Sequence, residues 1–130
     1  MIEKKYHIPF DFILDYLTPK VVVVKPMFGC FLLYIGNKTY FFLNDRNDQK
    51  ELNGIWVALS SPEYYETLAK ELPSINQGLK LHENKKSNNK WLLLSVFDDE
   101  FESLVIKACE LALNNDRRIG KITKGSLSNL

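Results

Sequence analysis

The stretch VVVVKPMFGCFLLYIGNKTYFFLND, Val21 to Asp45, decides the reading of this chain. Val21 to Val24 are β-branched in succession, and such side chains lose rotamer freedom in a helix but pack well on a pleated surface. The run predicts a strand covered on both faces, or a lead-in to a buried strand. Pro26 has no N–H to give a ladder, so the chain there is expected at an edge, a bend or a bulge. Gly29 predicts a bulge or a close backbone approach. Cys30 to Ile35 and Thr39 to Leu43 then read as two strands joined by the turn Gly36-Asn37, a pair that tolerates positive φ.

Before this stretch, Phe10, Ile13, Leu14 and Leu17 recur at helical spacing between Pro9 and Pro19, predicting a helix over 9–18. The polar run from Asn44 to Gly54 predicts a loop. Ile55 to Leu59 reads as the third strand. Ser61 as cap and Pro62 at the first position open a second helix, whose stripe of Tyr64, Tyr65, Leu68, Ala69 and Leu72 ends at Pro73. Ile75 to Leu81 predicts a weak strand and Trp91 to Val96 a firm one, on either side of the solvated turn 84–90. Asp98, Asp99 and Glu100 place negative charge at the start of a helix whose apolar face runs through about residue 114. Residues 116–130 turn polar and small, and the tail beyond Lys121 is expected to be loose. The resulting order is α-β-β-β-α-β-β-α. Connections this short favour antiparallel pairing, so the expected fold is α+β: two layers, an antiparallel sheet of about five strands, and helices mainly on one face.

Composition narrows the classes of function. The 130 residues fit a single domain, here placed at 1–122 with a tail at 123–130. A chain of this length buries roughly two thirds of its unfolded surface and needs neither disulfide nor metal to fold. The apolar fraction of 45% and charged fraction of 25% are those of an ordinary globular protein. Net charge is +1, so no global field draws the chain to nucleic acid or to an acidic membrane. The run from Met27 to Ile35 is about half the length a membrane-spanning helix needs. MIEKKYHIPF does not read as a signal peptide. Cys30 and Cys109, far apart in the sequence, fit reduced thiols in a cytosol.

Chemistry-bearing motifs are sparse. His7 and His82 have no ligand partner at metal-binding spacing. Cys30 could be a nucleophile, but no base accompanies it, and a small buried cysteine is the commoner role. The acidic run Asp98, Asp99, Glu100 and Glu102 is explained by a helix start without a metal. Trp56 and Trp91 sit in apolar runs that suit a core better than base stacking. Arg117, Arg118, Lys121 and Lys124 follow a helix end. They could contact phosphate, or simply complement the helix C-terminus. No cofactor motif is present.

Pro26-Met27-Phe28-Gly29-Cys30, followed by an apolar strand, a turn and a second apolar strand, resembles the N-terminal domain of the TfoX/Sxy competence regulators. Asp98-Asp99-Glu100-Phe101-Glu102 and Asp116-Arg117-Arg118-Ile119-Gly120-Lys121 resemble the ending of small stand-alone bacterial relatives. The resemblance spans about residues 10–122, and its specific element is Met27-Phe28-Gly29. It implies a two-layer α/β domain with an antiparallel sheet, similar to YjbR-like proteins and secretion chaperones. It also implies a bacterial, cytoplasmic, non-enzymatic protein, and supplies no catalytic residues. The separate C-terminal helical domain of the regulators is not among these residues, so a competence role is not expected. The leading expectation is a regulatory or interaction module that binds a protein partner through its sheet or hairpin surface. A weak nucleic-acid binder using the basic stretch is the alternative, and a small-molecule or enzyme site at the Cys30 strand the third.

Overall fold

The structure is a computed structural model in which residues 7–27, 29–48, 50–72 and 91–122 are described. The elements are α1 (Phe12–Tyr16), β1 (Val22–Met27), β2 (Cys30–Ile35), β3 (Lys38–Asn44), β4 (Gly54–Ala58), α2 (Tyr65–Glu71), β5 (Trp91–Ser95), α3 (Phe101–Leu113) and β6 (Lys121–Ile122). The strands form one six-stranded sheet in the order β1-β2-β3-β4-β5, with β6 added to β3. Every pairing is antiparallel. The fold is α+β, as the alternation of breakers and apolar runs predicts.

Strand alternation sorts the side chains into two faces. Phe31, Leu33, Phe41, Leu43, Ile55, Val57, Leu92 and Leu94 share one face and one core with Ile13 of α1 and Leu17 at its C-terminal cap, Leu68 and Leu72 of the α2 segment, and Leu104, Val105, Ala108, Cys109 and Ala112 of α3. The three described helices therefore pack on the same side. Leu32, Phe42, Trp56 and Leu93 line up across the other face. Of these, Leu32, Trp56 and Leu93 are also buried, so the central strands have no solvated side.

Several expectations are corrected. The valine run is a strand in its own right, Val22–Met27, paired with β2 along its whole length. Four strands therefore precede α2. It is an edge strand with Val23, Pro26 and Met27 exposed, not one covered on both faces. Gly29 is no bulge: it lies in the two-residue turn between β1 and β2 with φ +85°, and nothing lies within 4 Å of where a Cβ would stand. The bulge is instead in β3 at Tyr40, where the register shifts between Leu33↔Phe41 and Tyr34↔Thr39. The first helix shrinks to Phe12–Tyr16, flanked by turns. Before α2 the chain makes a 3-10 turn, Pro62–Tyr64, and Tyr64 rather than Ser61 caps the helix, without a side-chain hydrogen bond. The weak strand expected at Ile75 to Leu81 lies outside the described residues.

Helix α3 stops as a chain with two asparagines can stop it. Asn115 adopts φ +58°, its N–H donates to the Ala112 carbonyl, and the Asp116 N–H reaches back to Leu111 at 2.9 Å. This pair of bonds is the Schellman arrangement, which satisfies carbonyls that a helix end leaves open. It aims the following residues at the sheet. Beyond Phe41↔Val57, β3 no longer pairs with β4 but takes β6, with Thr39 opposite Lys121 and Lys38 opposite Ile122. Ile119 bridges Leu59, Gly120 N–H donates to Ala58, and Ser60 N–H donates to Arg118. Residues 118–122 thus fill the fork between β3 and β4. Ile119 is fully buried, so this part of the basic stretch is seated in the sheet.

Candidate interaction surface

Strand β1 presents an open edge. Met27 and Cys30 close its turn with β2, and the closing pair of a two-residue hairpin is a hydrogen-bonded one. Hydrogen-bonding positions alternate along the strand. Val23, Lys25 and Met27 therefore aim their backbone groups at β2, while Val22, Val24 and Pro26 aim theirs away. Pro26 is tolerated inside a strand for this reason, since its missing donor faces outward. Among the described residues, no strand pairs with that outer side. Side chains of Val21 (79% exposed), Val23 (51%) and Met27 (43%) stand in a row along the edge on the face away from the helices. Lys25 interrupts the row, with its ammonium 5.5 Å from the centre of the Tyr34 ring. Val22 and Val24, on the opposite face, pack against the core and anchor the edge.

The β1–β2 turn adjoins a buried polar network. The Cys30 thiol donates to Asn44 Oδ1 at 2.9 Å, and Asn44 Nδ2 donates to the Leu52 carbonyl and to Asn53 Oδ1, each at 3.0 Å. Asn53 Oδ1 also accepts the Arg46 N–H, and Asn53 Nδ2 returns a bond to the Arg46 carbonyl. Arg46 grips Asp48 through two nitrogens. These bonds clamp the loop after β3 to the start of β4. Burial pushes the Cys30 thiol up, an effect that the neighbouring Arg46 guanidinium only offsets in part. A reactive thiol needs the opposite shift. Both cysteines are free and buried, and burial pushes Cys109 up to about 12. Among the described residues, no cluster of three His, Cys, Asp or Glu residues could hold a metal.

The basic residues after α3 are spread rather than gathered. Arg118 sets its guanidinium against Asp116 at 2.8 Å and against Glu71 of α2 at 2.9 Å, with only 17% of its side chain exposed. Its hydrogen bonds hold the Asp116 carboxyl below the usual carboxylate range. Arg117 is exposed. Lys121 lies over the Trp91 ring, 5.6 Å from its centre, and Lys124 lies outside the described residues. Arg117, Arg118, Asp116 and Glu71 help to line an open groove of about 620 Å³ in which Arg118 contacts both carboxylates. His7 is exposed, and His82 lies outside the described residues.

Of the Pro26-Met27-Phe28-Gly29 element, Pro26 and Met27 end the open edge, Gly29 turns the chain, and Phe28 lies outside the described residues. Sequence reading missed Asn44, Asn53 and Gly120. The asparagines stood in a polar run that reads as loop, and their pairing spans β3 and β4. An Asn-Gly at the end of such a run, before an apolar strand, was the available signal for an ordered entry. Among the described residues, no helix is long and apolar enough to cross a membrane. Comparison with protein-family models, curated proteins and solved structures found no match.

Proposed function

We propose that this chain is a non-enzymatic protein-interaction module of the TfoX N-terminal kind, acting in the bacterial cytoplasm and taking its partner at the open edge of β1. The observation that supports this reading is the edge itself. Among the described residues nothing pairs with the outward backbone groups of Val22 and Val24, and an apolar row is exposed at Val21, Val23 and Met27. Sheet edges left open and apolar accept an extended segment of another protein, in which main-chain hydrogen bonds give affinity and alternate side chains give selectivity. Folded proteins blunt such edges with charge and proline, and on β1 Lys25 and Pro26 do this in the second half of the strand, which leaves Val22 and Val24 as the positions that can pair. The raised thiol of Cys30 argues against the alternative of a nucleophilic site on β2.

The test is affinity capture from the host with wild-type protein and with Val23→Lys, both after nuclease treatment. Val23 points away from the core, so the variant should keep the wild-type fold, read as an unchanged circular dichroism spectrum. Proteins held by wild type and lost by the variant support the reading. Partners that bind both forms alike, or that leave on nuclease treatment, overturn it.

A further inference from the structure

We infer that the segment accepted at the β1 edge is β1 of a second copy of this chain, so that two sheets join into one across a two-fold axis at Val23. This rests on the edge-docking reading above and names its occupant. With Val23 opposite Val23 of the other copy, Val22 of each chain faces Val24 of the other, and both are outward-facing positions. Each Val22 can then exchange both of its hydrogen bonds with Val24 across the axis, which uses every outward donor and acceptor of the two valines. Pro26 would fall opposite Lys20. The Lys20 N–H is already spent on the Leu17 carbonyl, so the ladder ends where the proline removes a donor anyway. Shifting the axis to Val24 sets Val22 against Pro26 and leaves the Val22 carbonyl facing a proline ring with no donor.

The side chains fit the same register. Val23 meets Val23 at a non-hydrogen-bonded position, where side chains approach most closely. Val21 faces Lys25 of the other copy, so the aliphatic stem of each lysine can cover an exposed valine. The ammonium groups end up at opposite ends of the joint, and no like charges oppose each other directly. The pairing removes from water Val21 and Val23, which are among the most exposed large hydrophobics of the described residues.

Because Val23 meets its own copy, charge can be written onto the axis. Sedimentation velocity should find wild type as a dimer, and Val23→Lys and Val23→Glu each as monomers with an unchanged circular dichroism spectrum. An equimolar mixture of the two variants should return to dimer, since each lysine then faces a glutamate. Val23→Cys should also form an interchain disulfide on oxidation, while Val21→Cys alone should not, because residue 21 faces residue 25. A wild type that stays monomeric at high micromolar concentration, or a mixture that stays monomeric while wild type dimerises, overturns the self-pairing. The docking reading is judged separately. If wild type is monomeric but Val23→Lys still loses captured proteins, the edge binds a different partner. If neither dimer nor captured protein depends on Val23, both readings fall.

Discussion

Gly120 lies flat against the ring of Tyr40: a Cβ at residue 120 would come within 2.6 Å of Tyr40 Cε1. The contact lets residues 118–122 enter the fork between β3 and β4 at the point where Tyr40 bulges out of register. Gly120 also holds φ +91°, a region that costs L side chains energy. Gly120→Ala should therefore destabilise the domain by on the order of 2–4 kcal/mol, through strain plus displacement of a buried ring. Urea denaturation measures this, and an unchanged midpoint would show that the segment is not seated on Tyr40.

How far the fold was legible depends on whether its causes are local. The Cys30–Leu43 hairpin was, because Gly36 takes φ +64° at the first central position of its turn, as the residue type announces. Helix α3 was legible for the same reason, with its apolar stripe and its closing asparagines. The continuation of β1 through Pro26 was not. Proline breaks a strand unless its nitrogen faces outward, and that depends on counting register from the turn to Cys30. Strand β6 was not legible either, because Ile119 and Ile122 are too few for a periodic signal and their partners lie far back in the chain. The open edge, and with it the candidate surface, is a property of strand order that no single stretch encodes.

Gly29 and Gly54 separate two reasons for glycine. At Gly29 a Cβ meets open space and only the positive φ resists substitution, so Gly29→Ala should cost about 1–2 kcal/mol. At Gly54, with φ +146°, a Cβ would run into the Leu94 carbonyl on β5 and force β4 and β5 apart. Gly54→Ala should cost about 3 kcal/mol or more. Equal losses in thermal or urea melts would contradict this account of the two sites.

Thr39 is fully inside the sheet, and among the described residues its hydroxyl finds no hydrogen-bond partner. A buried polar group without a partner is destabilising, and valine has nearly the same shape and higher affinity for a dry site. Thr39→Val should raise stability by about 1 kcal/mol, seen as a melting temperature several degrees higher. A lower melting temperature would mean that the hydroxyl is satisfied in solution.

The two thiols should make stability depend on alkaline pH. Cys109 is raised to about 12, against about 8.5 for an unfolded thiol, and Cys30 is raised in the same direction. A raised value means that the folded state holds its proton more tightly. The associated stability is present in full below the unfolded value and is lost as pH rises from there toward the folded one. Urea midpoints should fall between about pH 8.5 and 12, and Cys109→Ala should flatten that fall while lowering stability at neutral pH through the lost packing. Thiol titration should count two reactive groups after denaturation and far slower reaction before it. Rapid native labelling at pH 7.5 would refute the buried assignment.

Arg118, although basic, should contribute little to any contact with nucleic acid, because Glu71 and Asp116 already occupy its guanidinium. Its role is to tie α2 to the strap behind α3. Arg118→Ala should cost about 1 kcal/mol at neutral pH, the modest value of a partly exposed pair. Asp116, held low by Arg118, adds stability that is present above the unfolded carboxylate value near 4 and is lost as pH falls through its lower folded value. The difference between wild type and Arg118→Ala should accordingly shrink in acid. Binding to labelled duplex DNA, followed by fluorescence anisotropy across a salt series, should be weak and without sequence preference. Its slope should be no steeper than about −4 even if Arg117, Arg118, Lys121 and Lys124 all take part, at about −0.9 per phosphate. Arg117→Ala, at the exposed position, should weaken what binding there is more than Arg118→Ala does. Tight, sequence-selective binding that survives substitution of all of these residues would place a nucleic-acid site elsewhere on the molecule and displace the β1 edge as its working surface.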